Sequence, residues 1–260
     1  MSTESETIRK WEAQLLEKTQ TNAAELLAAS LVDPVTSTAD ECWEVIWNKP
    51  LFANTQELIA KLKIAALAPF MIGAWRDWGL DGGRLKISHA GGRNNVLSFE
   101  VAGADHSAIA DLKIAPHRLF AIQGGASFLR ALVAENGEDS PFRGLATLPL
   151  ESMVQTVQKS AGRGWGHITA LHLLTDFGLA VKPDLHLVRT VRELDLLPDL
   201  GVSQVPSWED ALRINGAVNE LGKRLYGSSF GPRNRRYLDK VLMEVSKQQL
   251  IGLKKNGSET

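Results

Sequence analysis

The chain has 260 residues, 44% of them hydrophobic and 23% charged, with a formal net charge of −1. That length and balance suit one large domain or two lobes around ordinary cores, and they exclude a disordered chain and a histone-like polycation. Cys42 is the one cysteine, so an internal disulfide and a thiolate metal cluster are excluded too.

The apolar residues Trp11, Leu15, Leu16, Leu26, Leu27 and Leu31 recur at helical spacing and predict an amphipathic helix over 5–31. The start, MSTESETIRKW, lacks the apolar run of a secretion signal. A second helix is predicted for ADECWEVIWN at 39–48, whose opening acids suit a helix N-terminus. A third is expected at about 55–75, with a kink or break at Pro69. Its run IAALAPFMIGAW is too short to cross a bilayer, so a cytoplasmic protein with no membrane partner is expected.

Between 79 and 103 the apolar period changes to two, at Leu85 and Ile87 and again at Leu97, Phe99 and Val101. With AGGRNN between them, these predict a small β-hairpin at about 84–103. Helical patterns resume at about 116–135 and 149–160. ENGEDSPFRG at 135–144 combines glycine, proline and charge and reads as a linker. The expected organisation is an N-terminal helical lobe with the hairpin, 1–140, and a second lobe, 141–260. In the second lobe helices are predicted over 185–197, with Leu185, Val188, Val191 and Leu194 inward, and at about 207–226 and 233–250. The tail LKKNGSET is expected to fray. The fold class is therefore mainly α.

Charge is unevenly placed. Carboxylates dominate up to Glu57, whereas Lys223, Arg224, Arg233, Arg235, Arg236, Lys240 and Lys247 follow Arg213. Such runs serve as solvated helix faces or as a phosphate-facing side.

Residues 162–194 carry the chemistry. GRGWG places Gly162, Arg163, Gly164, Trp165 and Gly166 between two helical patterns. A dinucleotide loop would need a preceding strand and a third glycine at position 167, which is His167. The alternatives are a plain helical hairpin and a turn whose following helix offers its first amides to a phosphate. His167 and His172 lack the third ligand of a metal site and read as structural, so no metal is expected. In AVKPDLH, Pro183 imposes an extended approach and Asp184 stands immediately before a helix. Asp184 is a favoured N-cap there, and a fixed carboxylate at the same place can stabilise a developing cation.

In this order the elements resemble the helix-hairpin-helix DNA glycosylase superfamily. Gly164-Trp165-Gly166 matches its hairpin, Thr169-Ala170 the start of its following helix, and Asp184-Leu185-His186 its aspartate-x-histidine. The likeness covers about 149–197 and is closest to the 8-oxoguanine glycosylase branch, some bacterial members of which sit in antiphage operons. It implies a two-lobed helical enzyme that flips a nucleotide out of DNA and breaks its N-glycosidic bond. Asp184 would stabilise the oxocarbenium-like sugar and activate water. Gly162 to His167, with Thr169 and His186, would hold the nucleic acid, and a monovalent cation at the hairpin would be the only bound cofactor. Trp75, Trp78 or Phe70 would stack on the base or belong to the core. Three positions depart from the family pattern. Ile168 stands where bifunctional members carry a Schiff-base lysine, so no lyase activity is implied. Gly162-Arg163 replaces leucine-proline, and Asp184 follows Gly166 by 18 positions, slightly fewer than in most relatives. Two other functions share these residues: a non-catalytic helix-hairpin-helix nucleic-acid-binding protein, and a nucleotide-processing enzyme of an antiphage defence system.

Overall fold

The computed structural model describes residues 3–28, 31–53, 55–80, 85–89, 97–101, 114–201 and 205–251. It is mainly helical and divides into two compact units, Val32–Leu173 and a discontinuous one made of Met1–Leu31 with Leu174–Thr260.

In the unit Val32–Leu173, α3 (Ala39–Ile46) begins in a capping box. The Thr38 hydroxyl accepts the Glu41 amide at 3.4 Å, and the Glu41 carboxylate accepts the Thr38 amide at 2.7 Å. Then come α4 (Lys49–Phe52), α5 (Glu57–Met71) and a 3-10 turn at Ala74–Arg76. Pro69 does not end α5, which runs on to Met71 before Ile72, at ψ 113°, leaves the helix. Strand β1 (Leu85–His89) pairs antiparallel with β2 (Leu97–Val101), with Ile87 opposite Phe99. The AGGRNN turn lies outside the described residues. Helices α6 (Pro116–Asn136) and α7 (Leu150–Ala161) follow, and α8 (His167–Asp176) begins here.

Tryptophan dominates this core: Trp43, Trp47, Trp75, Trp78 and Trp165 are all buried. The Trp43 indole donates to the Met71 carbonyl at 2.7 Å, and Arg130 of α6 donates to the Trp75 carbonyl at 2.5 Å. Burial takes Trp75 and Trp78 out of the reckoning as exposed stacking surfaces, and Phe70 is half-buried. The core is closed by a glycine pair in α6. A Cβ on Gly124 would lie 1.9 Å from the Ala161 carbonyl of α7, so the two helices meet backbone to side.

The stretch 135–144 is a packed loop and not a linker, and residues 140 and 141 both fall inside this unit. Phe142 is fully buried, edge-on to Phe128 with ring centroids 5.7 Å apart. The Asn136 amide donates to the Pro141 carbonyl at 3.2 Å, and Glu138 O accepts the Ala39 amide at 2.7 Å. Glycine, proline and charge occur equally in tight turns and in linkers; one buried aromatic decides between them.

In the other unit the helix expected over 5–31 is two helices, α1 (Thr3–Thr19) and α2 (Ala23–Ala28). Gln20 breaks them at φ 53°, and Asn22 starts the second. Its side chain accepts the Glu25 amide, and the Glu25 carboxylate accepts the Asn22 amide, both at 2.9 Å. Helix α1 buries Ile8, Trp11 and Leu15 in one core with residues of α9 (Leu185–Glu193), α10 (Trp208–Tyr226) and α11 (Pro232–Lys247). The Tyr237 hydroxyl donates to Glu12, and the Lys18 ammonium to the Gln248 carbonyl at 2.6 Å. The first residues, expected in the N-terminal lobe, thus belong with the C-terminal helices. Thr190 of α9 donates to the Leu242 carbonyl of α11 at 2.8 Å and sets those two helices against each other.

We expect Gly124→Ala to destabilise the protein by about 1–3 kcal/mol, the usual cost of overpacking. Gly216→Ala, in an exposed and open stretch of α10, is expected to stabilise it by up to about 1 kcal/mol through helix propensity. Denaturant melts of both variants check the contrast.

Candidate functional site

The turn between α7 and α8 is built on α6. The Trp165 indole N–H donates to the Ala121 carbonyl at 2.7 Å, and its ring lies 3.1 Å from the Cβ position of Gly125. The Trp165 side chain is 2% exposed, so it anchors the turn and is not a nucleic-acid contact. Gly164, at φ +94°, has its Cβ position 2.5 Å from the Ala121 methyl, and both facts require glycine. Gly166 differs: its φ is ordinary and its Cβ position is open. It stands at the start of α8, its carbonyl accepting the Ala170 amide at 3.0 Å. Gly162, Arg163, Gly164 and Gly166 are exposed, and His167 and Thr169 are half-buried in the first turn of α8.

Asp184 is the N-cap of α9, at φ −92° and ψ 177°. One carboxylate oxygen, Oδ1, accepts the amides of His186 at 3.0 Å and Leu187 at 3.1 Å. The other oxygen takes no hydrogen bond from the described residues, and the side chain is half-buried. The preceding backbone closes on itself, with the Asp184 amide donating to the Lys182 carbonyl at 2.8 Å across Pro183, a γ-turn pattern suited to proline's restricted φ. His186 is half-buried, its Nδ1 3.2 Å from the Ser246 hydroxyl of α11.

Two buried side chains hold this extended segment from behind. Asn215 of α10 grips Val181 at both backbone groups, accepting its amide at 2.8 Å and donating to its carbonyl at 3.2 Å. Asp239 of α11 accepts the Lys182 amide at 3.3 Å through Oδ1, and its Oδ2 accepts from Arg236 at 2.8 Å. The other arm of Arg236 donates to Asp176 at 2.9 Å, and all three of these charged side chains are under 10% exposed. Sequence reasoning missed Asp176, Asn215 and Asp239 and treated Arg236 as a surface cation. A signal was present in NRRYLDKVLMEV: Arg236 and Asp239 share the i, i+3 spacing of a helical ion pair beside the stripe Leu238, Val241, Leu242.

Burial pushes the Asp239 carboxyl up and the nearby Asp184 carboxylate adds to this; Arg236 opposes both, and the result is about 6. Burial likewise pushes the Cys42 thiol up to about 12, which keeps it a buried apolar group and not a nucleophile.

The basic C-terminal helices spend much of their charge internally. Arg236 is buried between carboxylates, and Arg235 donates to the Gly178 carbonyl at 2.6 Å and to Asn219. Arg213 pairs with Asp199, Lys223 with Glu220 and Lys247 with Glu244. Arg163, Arg189, Arg192, Arg224 and Arg233 are exposed. Among the described residues no group of three His, Cys, Asp or Glu side chains could hold a metal ion, and no helix is long and apolar enough to cross a membrane. His172 packs edge-on against Phe52, with centroids 5.6 Å apart.

Because Asp239 has a raised carboxyl, the folded chain holds a proton between about pH 4 and about 6 that the unfolded chain has released. Its contribution to stability is therefore lost as pH rises through that window. We expect the melting temperature of Asp239→Asn, relative to wild type, to climb between about pH 4.5 and about pH 7.5; a flat or falling difference contradicts the assignment. Asp184→Ala is expected to cost about 1 kcal/mol as a lost cap, and Asp184→Asn much less. Comparison of the chain with protein-family models, with curated proteins and with solved structures gives no match.

Proposed function

We propose that the chain is a DNA N-glycosylase of the helix-hairpin-helix kind, excising a modified or damaged base of the 8-oxoguanine type by nucleotide flipping. The observation that carries this reading is Asp184. Its cap bonds occupy one carboxylate oxygen, the second is without a hydrogen bond from the described residues, and the side chain is half-buried. A carboxylate fixed in this way is pre-organised for a cation that forms and disappears during reaction. As the glycosidic bond breaks, Asp184 stabilises the oxocarbenium-like sugar, and it then takes a proton from the attacking water. The exposure of Gly162, Arg163, Gly164 and Gly166 supports the DNA-holding part of the reading. Arg163 adds charge there, and Gly166 is a glycine that its own surroundings do not require. Ile168 has no amine, so water and not an enzyme amine adds to the sugar C1′ as the base leaves.

One observation favours a second reading, a nucleic-acid-binding protein without catalysis. Two amide bonds to a single oxygen already make Asp184 a complete N-cap, so capping by itself accounts for its presence.

Base release separates the two. On duplexes that each carry a single modified base, Asp184→Asn is expected to lower release by about a hundredfold or more while DNA binding stays at the wild-type level. Equal release by the variant would overturn the catalytic assignment; salt-sensitive binding by a wild type that cleaves no substrate would favour the second reading. Borohydride trapping is expected to yield no covalent adduct, and an adduct would disprove the role given to water. Gly166→Ala should lower the melting temperature only slightly, as a poorer N-cap, and weaken DNA binding, whereas Gly164→Ala should destabilise the fold itself.

A further inference from the structure

Residues 181–184 run between helices without a strand to pair with, and side chains serve both backbone groups of Val181 and the Lys182 amide. Asn215 serves Val181 and Asp239 serves Lys182, whose own carbonyl accepts the Asp184 amide. The Lys182 amide reaches the Asp239 carboxylate at 3.3 Å and the Lys182 carbonyl takes the Asp184 amide at 2.8 Å, so two hydrogen bonds separate Asp239 from the backbone of Asp184. Asp239 is itself held from the opposite side by Arg236, which Asp176 holds in turn. A plain packing role would not need charge at this position. Two buried carboxylates held by a buried guanidinium, with Lys240 beside them, is an expensive arrangement compared with an apolar pair of the same size.

We propose that Asp239 is a positioning residue for Asp184: through the Lys182 amide it fixes the Lys182–Asp184 turn, and so the placing of the carboxylate that acts on the sugar. This inference rests on the glycosylase reading for its catalytic part and on the geometry of the turn for the rest.

The groups around Asp239 give the arrangement a pH dependence. From its own helix Arg236 and Lys240 face it; from the loop before α9 come the Lys182 amide and the Asp184 carboxylate; Asp176 of α8 stands behind Arg236. Burial lowers Lys240 and raises Asp239. When Asp239 takes up a proton it becomes a poorer acceptor for both Arg236 and the Lys182 amide, and the turn loosens. The ionised form is therefore the one that positions Asp184, and turnover falls on the acid side as that proton is gained.

The test uses the full chain with Asp239→Asn, which keeps an acceptor oxygen but no charge, and Asp239→Ala, which keeps neither. In Asp239→Ala, amide hydrogen exchange at Lys182 and Asp184 is expected to quicken by about tenfold or more, the consequence of losing a hydrogen bond to a charged group. Base release in that variant should fall in kcat by about tenfold or more with KM for DNA unchanged. Asp239→Asn, a neutral acceptor at every pH, should show exchange between wild type and Asp239→Ala and a kcat held near the acid-side value of wild type, without the acid limb. Unchanged exchange at both amides in folded Asp239→Ala would overturn the inference, and so would faster exchange in that variant with wild-type kcat. Should Asp239→Ala not fold, Asp239→Asn decides by its pH profile: an acid limb identical to wild type overturns the proposal. A wild type that releases no base from any modified duplex sinks the glycosylase reading instead, and amide exchange then decides whether Asp239 fixes the turn.

Discussion

An extended segment buried among helices has no neighbouring strand to pair with, yet each of its amides and carbonyls needs a partner. The stretch from Val181 to Asp184 is such a segment, and Asn215 and Asp239 take the place of the absent strand. Asn215 suits this because one amide group both donates and accepts, so it can satisfy the two backbone groups of a single residue. Asp239 can only accept when ionised, which ties it to Arg236 and Asp176. The candidate catalytic carboxylate thus rests on a polar network made by two helices that follow it in the chain and by Asp176 at the end of the helix before it.

The turn at 162–166 solves a different problem with different residues. Trp165 is its anchor, held by the Ala121 carbonyl and seated over Gly125. Gly164 clears the Ala121 methyl, and Gly162 ends α7 at φ +70°. Gly125 leaves room for the Trp165 indole, Gly124 for the Ala161 carbonyl and Gly164 for the Ala121 methyl, so small residues on α6 and in the turn let the two meet closely. Gly166 stands outside that arrangement. Its Cβ position is open, and its place is that of a residue capping the start of α8.

Net charge near zero hides how the charges are used. Buried Arg236 and half-buried Arg235 serve the interior, whereas Arg163, Arg189 and Arg192 lie in the open around the turn and on α9. A count of basic residues in the C-terminal half therefore overstates the positive surface available to a polyanion. Only the coordinates distinguish a cation that neutralises a buried carboxylate from one that faces a phosphate.

The sequence by itself determined the elements whose signals are local. Apolar spacing placed α3, α6, α7, α10 and α11 close to where they lie, and Pro183 followed by Asp184 marked an extended approach into an N-cap. Glycines flanking a tryptophan marked a turn between helices. These features depend on residues within a few positions of one another, so their physics is written in adjacent letters. Tertiary structure decided the rest. An amphipathic stripe such as Ile8, Trp11 and Leu15 states that a helix must be covered but not by what, and its partners were helices some two hundred residues later. Residues 135–144 looked like a linker until Phe142 found Phe128. Asp239, unremarkable on an amphipathic helix, became a support for Asp184 because folding brought positions 182 and 239 within hydrogen-bonding distance, and no local pattern encodes that contact.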